Sequence, residues 1–203
     1  MSKSILISIK PQYVGKILNG EKTIEIRKSK PNVELPCKVY IYCTNGYMLY
    51  DLRNEDYLEL KNNFTLDITH KSNKYLSSNP PMLNRRVVAE FTLNEINCLP
   101  SIRYKANGAF YQYNKVSDEV LKKSCLTQEQ ILHYSNGNNL YALNIEDLKI
   151  YDKPKLLQEF FKPCDGCDKI GSSRCTDETS SDCRAKVITR PPQSWCYVES
   201  LEE

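Results

Sequence analysis

Between residues 11 and 27 the apolar residues change period, and that change sets the order of the first elements. In "PQYVGKILNG", Tyr13, Val14, Ile17 and Leu18 recur at helical spacing, Pro11 stands where a first helical turn accepts proline, and Asn19-Gly20 supplies a left-handed stop. From Thr23 the period is two: Ile24 and Ile26 point one way, Thr23, Glu25 and Arg27 the other. The β-rich "SILISIK" precedes this segment, and "CKVYIYCT" follows it after an "SKPN" turn, so the chain opens as strand, helix, strand, strand.

Residues 45–84 lack a clean period and read as an insertion of loop with one or two short helices. "RRVVAEFTLNEINCL" (85–99) returns to strand. Farther on, "VSDEVLKKS" and "LTQEQILHYSNG" predict two short helices, the second with a capping box from Thr127 to Gln130. "NLYALNIEDLKIYD" (139–152) predicts one or two strands, and Pro154 is placed to open a last helix, "PKLLQEFFK". This order is not the regular βαβ alternation of a doubly wound sheet. It predicts an α/β domain of the α+β kind, a small mixed β-barrel with flanking helices.

A chain of 203 residues supports one good hydrophobic core. It contains no run approaching the roughly 18 apolar residues of a membrane helix, and "MSKSILISIKP" is too short in its apolar part for a signal segment. A soluble, cytoplasmic protein with no membrane partner is expected. The net charge of +3 is mildly basic and leaves the partner open.

Nine cysteines without an export signal argue against a disulfide framework. Cys37, Cys43, Cys98 and Cys125 are scattered through expected core segments, where cysteine acts as a small hydrophobe. The other five crowd into residues 164–196. Cys164 and Cys167 form a C-x-x-C pair, followed by Cys175 and Cys183, and four thiolates match the tetrahedral demand of zinc. A tract as polar as "GSSRCTDETSSDC" cannot be held by apolar burial, which makes a structural metal staple physically sensible. Cys196 could replace one ligand, and disulfides or a redox C-x-x-C are the competing readings. Residues 1–163 with 185–203 are therefore expected to form the barrel domain, and 164–184 a zinc-stapled excursion.

"LNGEKTIEIRK" delivers Lys22 at the entrance to a strand that carries Glu25 and Arg27 on one face. Such a set offers donors and an acceptor to one polar ligand; it could equally be a solvated face whose ion pair contributes roughly 0–1 kcal/mol. "SIRYKANGAFYQYNK" (101–115) could stack a base or simply cover the barrel with its tyrosines. Arg190 and Trp195 are secondary candidates for a phosphate and stacking pair.

"ISIKPQYVGKILNGEKTIEIRKSKP", followed by "KVYIYCT", resembles the start of an ASCH domain, with Gly20, Lys22, Glu25 and Arg27 matching its G-x-K-x-x-E-x-R signature. The likeness runs through "RRVVAEF" and "LYALNIEDLKIYDKPKLLQEF", about residues 3–160. It implies a PUA-like barrel with these four residues in a ligand-binding cleft, and RNA or a nucleotide as the partner. A small subset of the family hydrolyses N4-acetylcytidine, with a lysine at the position of Lys22 as the catalytic residue. Glu25 here stands where those hydrolases have a threonine, so the resemblance implies a binding domain before it implies an amidohydrolase. A third reading is an interaction module whose cysteine-rich segment docks a protein partner.

Overall fold

The computed structural model describes residues 3–51, 82–163 and 187–201. Strand β1 (Lys3–Ile9) is buried on both faces beyond Lys3, because it lies inside a five-stranded sheet. Ile5, Ile7 and Ile9 face one apolar cluster, and Leu6 faces another. Helix α1 (Pro11–Leu18) starts with proline in its first turn and inserts Val14, Ile17 and Leu18 into the first cluster. Gly20 then takes φ +74° and its N–H bonds the Ile17 carbonyl, a left-handed exit that a β-carbon would strain. The chain turns directly into β2 (Ile24–Arg27) and crosses to β3 (Cys37–Cys43), which pairs parallel to β1.

The larger sheet runs β10-β1-β3-β4-β9, with β4 at Arg86–Leu93, β9 at Glu146–Lys155 and β10 at Trp195–Glu199. The smaller runs β2-β8-β5, with β5 at Ile96–Leu99 and β8 at Leu140–Asn144. One bent ribbon joins the two sheets. Ala89 faces Ile150 and Glu90 faces Lys149 before the bend, while Ile96 faces Leu143 and Leu99 faces Leu140 after it, with a bulge between. The side chain and the N–H of Asn144 both donate to Glu95 at this corner. Among the described residues the result is a mixed α+β fold, mostly sheet with three α-helices, whose ladders do not close into a barrel.

The outer face of the smaller sheet carries Ile24, Ile26, Leu99, Leu140 and Ala142. Helices α2 (Asp118–Ser124) and α3 (Gln128–Ser135) cover it with Val120, Leu121, Ile131 and Tyr134. Ser117 caps α2, and the predicted capping box of α3 is present, Thr127 and Gln130 each accepting from the other's N–H. Between β5 and α2 the sequence pattern predicts no element. The structure has a hairpin there, β6 (Ser101–Ala106) and β7 (Ala109–Asn114), turning at Asn107-Gly108 with φ of +50° and +78°.

The helix expected from Pro154 is only a single 3-10 turn, Leu157–Glu159. Strand β9 runs through Pro154 because it is the sheet edge, where a missing N–H costs no ladder bond. The ends of the expected insertion meet at a Tyr50–Met82 bridge and place Leu49 and Leu83 in the core; 52–81 lie outside the described residues. Cys164, Cys167, Cys175 and Cys183 also lie outside them. The flanks of that segment meet at a Phe161–Val187 bridge, so it leaves and re-enters the fold at one place. Cys37 and Cys43 are buried, which pushes their thiols up to about 11 and about 12 and makes them inert core filler. Cys98 is exposed and Cys125 half-buried, so the core expectation fails for Cys98.

Candidate functional site

The polar face of β2 does not meet solvent. Lys22, Glu25 and Arg27 are all buried, Lys22 to 2% exposure, between β2, α1, the end of β1 and the start of β10. Their solvated alternative is therefore excluded, and each charge has an identifiable partner.

Helix α2 ends in free carbonyls that need donors, and residues 22–23 provide them. Thr23 N–H bonds the Lys123 carbonyl at 2.9 Å, and Lys22 Nζ bonds the Ser124 carbonyl at 2.8 Å. A cation there also opposes the negative end of the helix. Lys22 Nζ further bonds the Ile24 carbonyl at 2.8 Å and Glu25 Oε2 at 3.2 Å, and lies 5.4 Å from the Tyr13 ring centre. Its three ammonium protons thus have three acceptors.

Glu25 joins the two cations: Oε1 accepts from Arg27 Nη2 at 3.0 Å while Oε2 takes Lys22. Arg27 ties β2 to the larger sheet. Its Nη2 donates to the Ser8 carbonyl at 2.7 Å, and Nη1 reaches the Ser194 carbonyl and Oγ, both at 3.4 Å. Among the described residues, Arg27 Nε and Ser8 Oγ are buried without a hydrogen-bond partner. Arg27 is therefore the member of the set with donor capacity left over. Burial, with the Glu25 charge second, raises the Tyr13 hydroxyl above its ordinary range. Tyr134 is raised chiefly by burial, with Arg27 opposing and Glu25 adding. Both phenols stay protonated donors beside the charges.

The sequence placed Gly20, Lys22, Glu25 and Arg27 near one another, and the structure brings the three charges together with Gly20 one turn away at the helix exit. It does not join Arg190 and Trp195: Arg190 is exposed in the bend before β10, whereas Trp195 is half-buried with its indole N–H on Ser29 Oγ at 3.0 Å. Sequence reasoning missed Ser8, Ser124 and Ser194, whose backbone carbonyls complete the site. Residue type carries no signal for a carbonyl contact. Among the described residues no three His, Cys, Asp or Glu side chains converge as a metal set, and no helix is long and apolar enough to cross a membrane.

No family profile and no curated protein matches the chain. Among solved structures, ASCH from Zymomonas mobilis matches with a TM-score of 0.51 and 16% identity, covering 97% of this chain and 87% of that one. Two mutant forms of the Zymomonas mobilis protein match with TM-scores of 0.49 and 16% identity, covering 97% of this chain and 88% and 90% of theirs. At this identity the first match shows the fold, which is of the ASCH type.

Proposed function

We propose that this chain, with its ASCH-type fold, is a binding domain for RNA or a modified nucleotide, and that the ligand meets the Arg27–Glu25 edge of the buried charge set on a PUA-like scaffold. The observation that carries the reading is the under-used guanidinium: among the described residues Arg27 has one buried N–H without a partner and only long bonds from Nη1. A phosphate or carbonyl oxygen accepts well from such a planar fork, and Glu25 beside it can orient Arg27 or accept from an exocyclic amine. Lys22 organises the site from below, since its protons are already matched.

The test is a fluorescence titration with short single-stranded RNA, cytidine and N4-acetylcytidine at several salt concentrations, comparing wild type with Arg27→Lys. Lysine keeps the charge and loses the fork, so binding should weaken about tenfold or more while the melting curve still shows a folded protein. Unchanged affinity would remove Arg27 from the site. Release of free cytidine during the assay would favour the amidohydrolase, in which Lys22 Nζ would first have to leave the Ile24 and Ser124 carbonyls and Glu25.

For the segment 164–184 we propose structural zinc held by Cys164, Cys167, Cys175 and Cys183. The meeting of its two flanks at Phe161 and Val187 is consistent with a short loop closed at its base. Purified protein should contain about one zinc per chain, lost in Cys164→Ser/Cys167→Ser. Metal-free wild-type protein with these cysteines alkylated or paired, yet folded, would refute it.

A further inference from the structure

The β6–β7 hairpin is polar at its root and aromatic at its tip. The root is fixed by Asn114 Nδ2, which donates to the Leu99 and Asn138 carbonyls, and by Gln112 Nε2, which donates to Ser101 Oγ at 2.7 Å and to the Gly137 carbonyl. Farther out, Tyr104 and Tyr111 are cross-strand partners whose rings stack 5.4 Å apart at 20°. Tyr113 meets Tyr104 edge-on at 6.0 Å. These three rings are 40–49% exposed and Phe110 is 78% exposed. An aromatic surface of this size, which no other described element packs over, is a contact surface in need of a partner.

Charge chooses among partners. From Ser101 to Lys115 the hairpin carries Arg103, Lys105 and Lys115 and no acidic residue. Register puts Arg103 and Lys105 on the face opposite the tyrosines, with Lys105 Nζ 5.6 Å from the Phe110 ring centre. A cavity of about 540 Å³ beside the tip is lined by Arg103, Tyr104, Lys105, Phe110, Tyr111 and Gln112. That volume lies within the roughly 300–1,000 Å³ of ordinary ligand sites. Flat rings that accept any π face on one side of the ribbon, with two cations on the other and no carboxylate on either strand, match unpaired bases whose joining phosphates pass around its edge. An aliphatic protein groove would not use the cations, and a duplex would hide the base faces.

We infer that the β6–β7 hairpin is a platform for single-stranded nucleic acid, RNA on the reading above, with Tyr104 and Tyr111 stacking on bases and Arg103 and Lys105 taking phosphates. The inference rests on the RNA-binding reading and adds a second, exposed contact remote in sequence from Arg27. It is tested by titrating the full chain with a fluorescein-labelled single-stranded RNA of about twelve nucleotides, the matching DNA strand and a blunt RNA duplex. Tyr104→Ala/Tyr111→Ala should weaken single-strand binding about 10- to 100-fold, and Tyr104→Phe/Tyr111→Phe should stay within about threefold. Arg103→Ala/Lys105→Ala should lower the slope of log affinity against log salt by about 1.4. Full binding by the alanine pair, or a duplex bound as tightly as the single strand, overturns the platform. If Arg27→Lys weakens binding and the alanine pair does not, the hairpin falls and the RNA reading stands. Wild-type protein that binds no strand overturns both. A DNA strand bound more tightly than RNA, and lost in the same variants, keeps the platform and overturns RNA as its source.

Discussion

Glu25→Gln lowers the free energy of unfolding by about 3–5 kcal/mol, read from urea denaturation. Glutamine keeps the shape and one acceptor but removes the charge that two buried cations share, Lys22 at 3.2 Å and Arg27 at 3.0 Å. Both cations keep their carbonyl partners, and neither can move to water without breaking the cap on α2 or the tie to Ser8. Because the set is buried, the loss should persist at high salt, where surface pairs are screened. The exposed pair Lys123–Glu119 is the control: Glu119→Gln should leave the denaturation midpoint where it was. Adding Lys22→Met to Glu25→Gln should cost less than the two changes summed, since one unpaired cation is then gone. A loss below about 1 kcal/mol for Glu25→Gln would mean that water already solvates these charges.

Phe160→Ala should cost about 3–5 kcal/mol by the same measurement. Phe160 is fully buried, its ring edge-on to Tyr40 at 4.9 Å and 65°, in the cluster with Leu6, Tyr42, Val87, Leu157, Ile188 and Val198. Its carbonyl also accepts from Ile188 N–H, so the ring sits where the chain re-enters after residues 164–186. Truncation leaves a cavity walled by four strands, β1, β3, β4 and β10, and a 3-10 turn, and the strands are held by their own ladders and cannot collapse into it. Phe160→Leu, which retains most of the volume, should cost less than half as much. A cost below about 1.5 kcal/mol for the alanine variant would show that the cluster repacks freely.

What the sequence made legible was local. The change of period at Gly20 gave α1 and β2, and the Thr127–Gln130 spacing gave the start of α3, because both signals lie within a few residues of what they specify. Alternation put Glu25 and Arg27 on one face. It could not show that the face is buried, since the groups that bury and satisfy it, Ser8, Ser124 and Ser194, lie 19 to 167 residues away from their partners. The hairpin has a local signal too: Asn107-Gly108 between alternating residues is a two-residue turn pair, set in a stretch whose many tyrosines read equally as surface cover. Pro154 misled in the other direction. Proline opens helices and also tolerates sheet edges, and only the strand order decides between the two.

The pairing of β1 has a consequence for how the chain is made. One edge of β1 finds β3 within the first 43 residues, but its other edge waits for β10, whose first residue is Trp195. At roughly 5–20 residues per second, a ribosome takes on the order of 10–30 s to add the residues between them. Through that interval the nascent chain exposes the open edge of a strand reading Ile-Leu-Ile-Ser-Ile, the kind of edge that recruits other strands. Until Trp195–Glu199 has been made, that edge of β1 lacks the strand it pairs with, so the larger sheet is completed late although its first strand is made early.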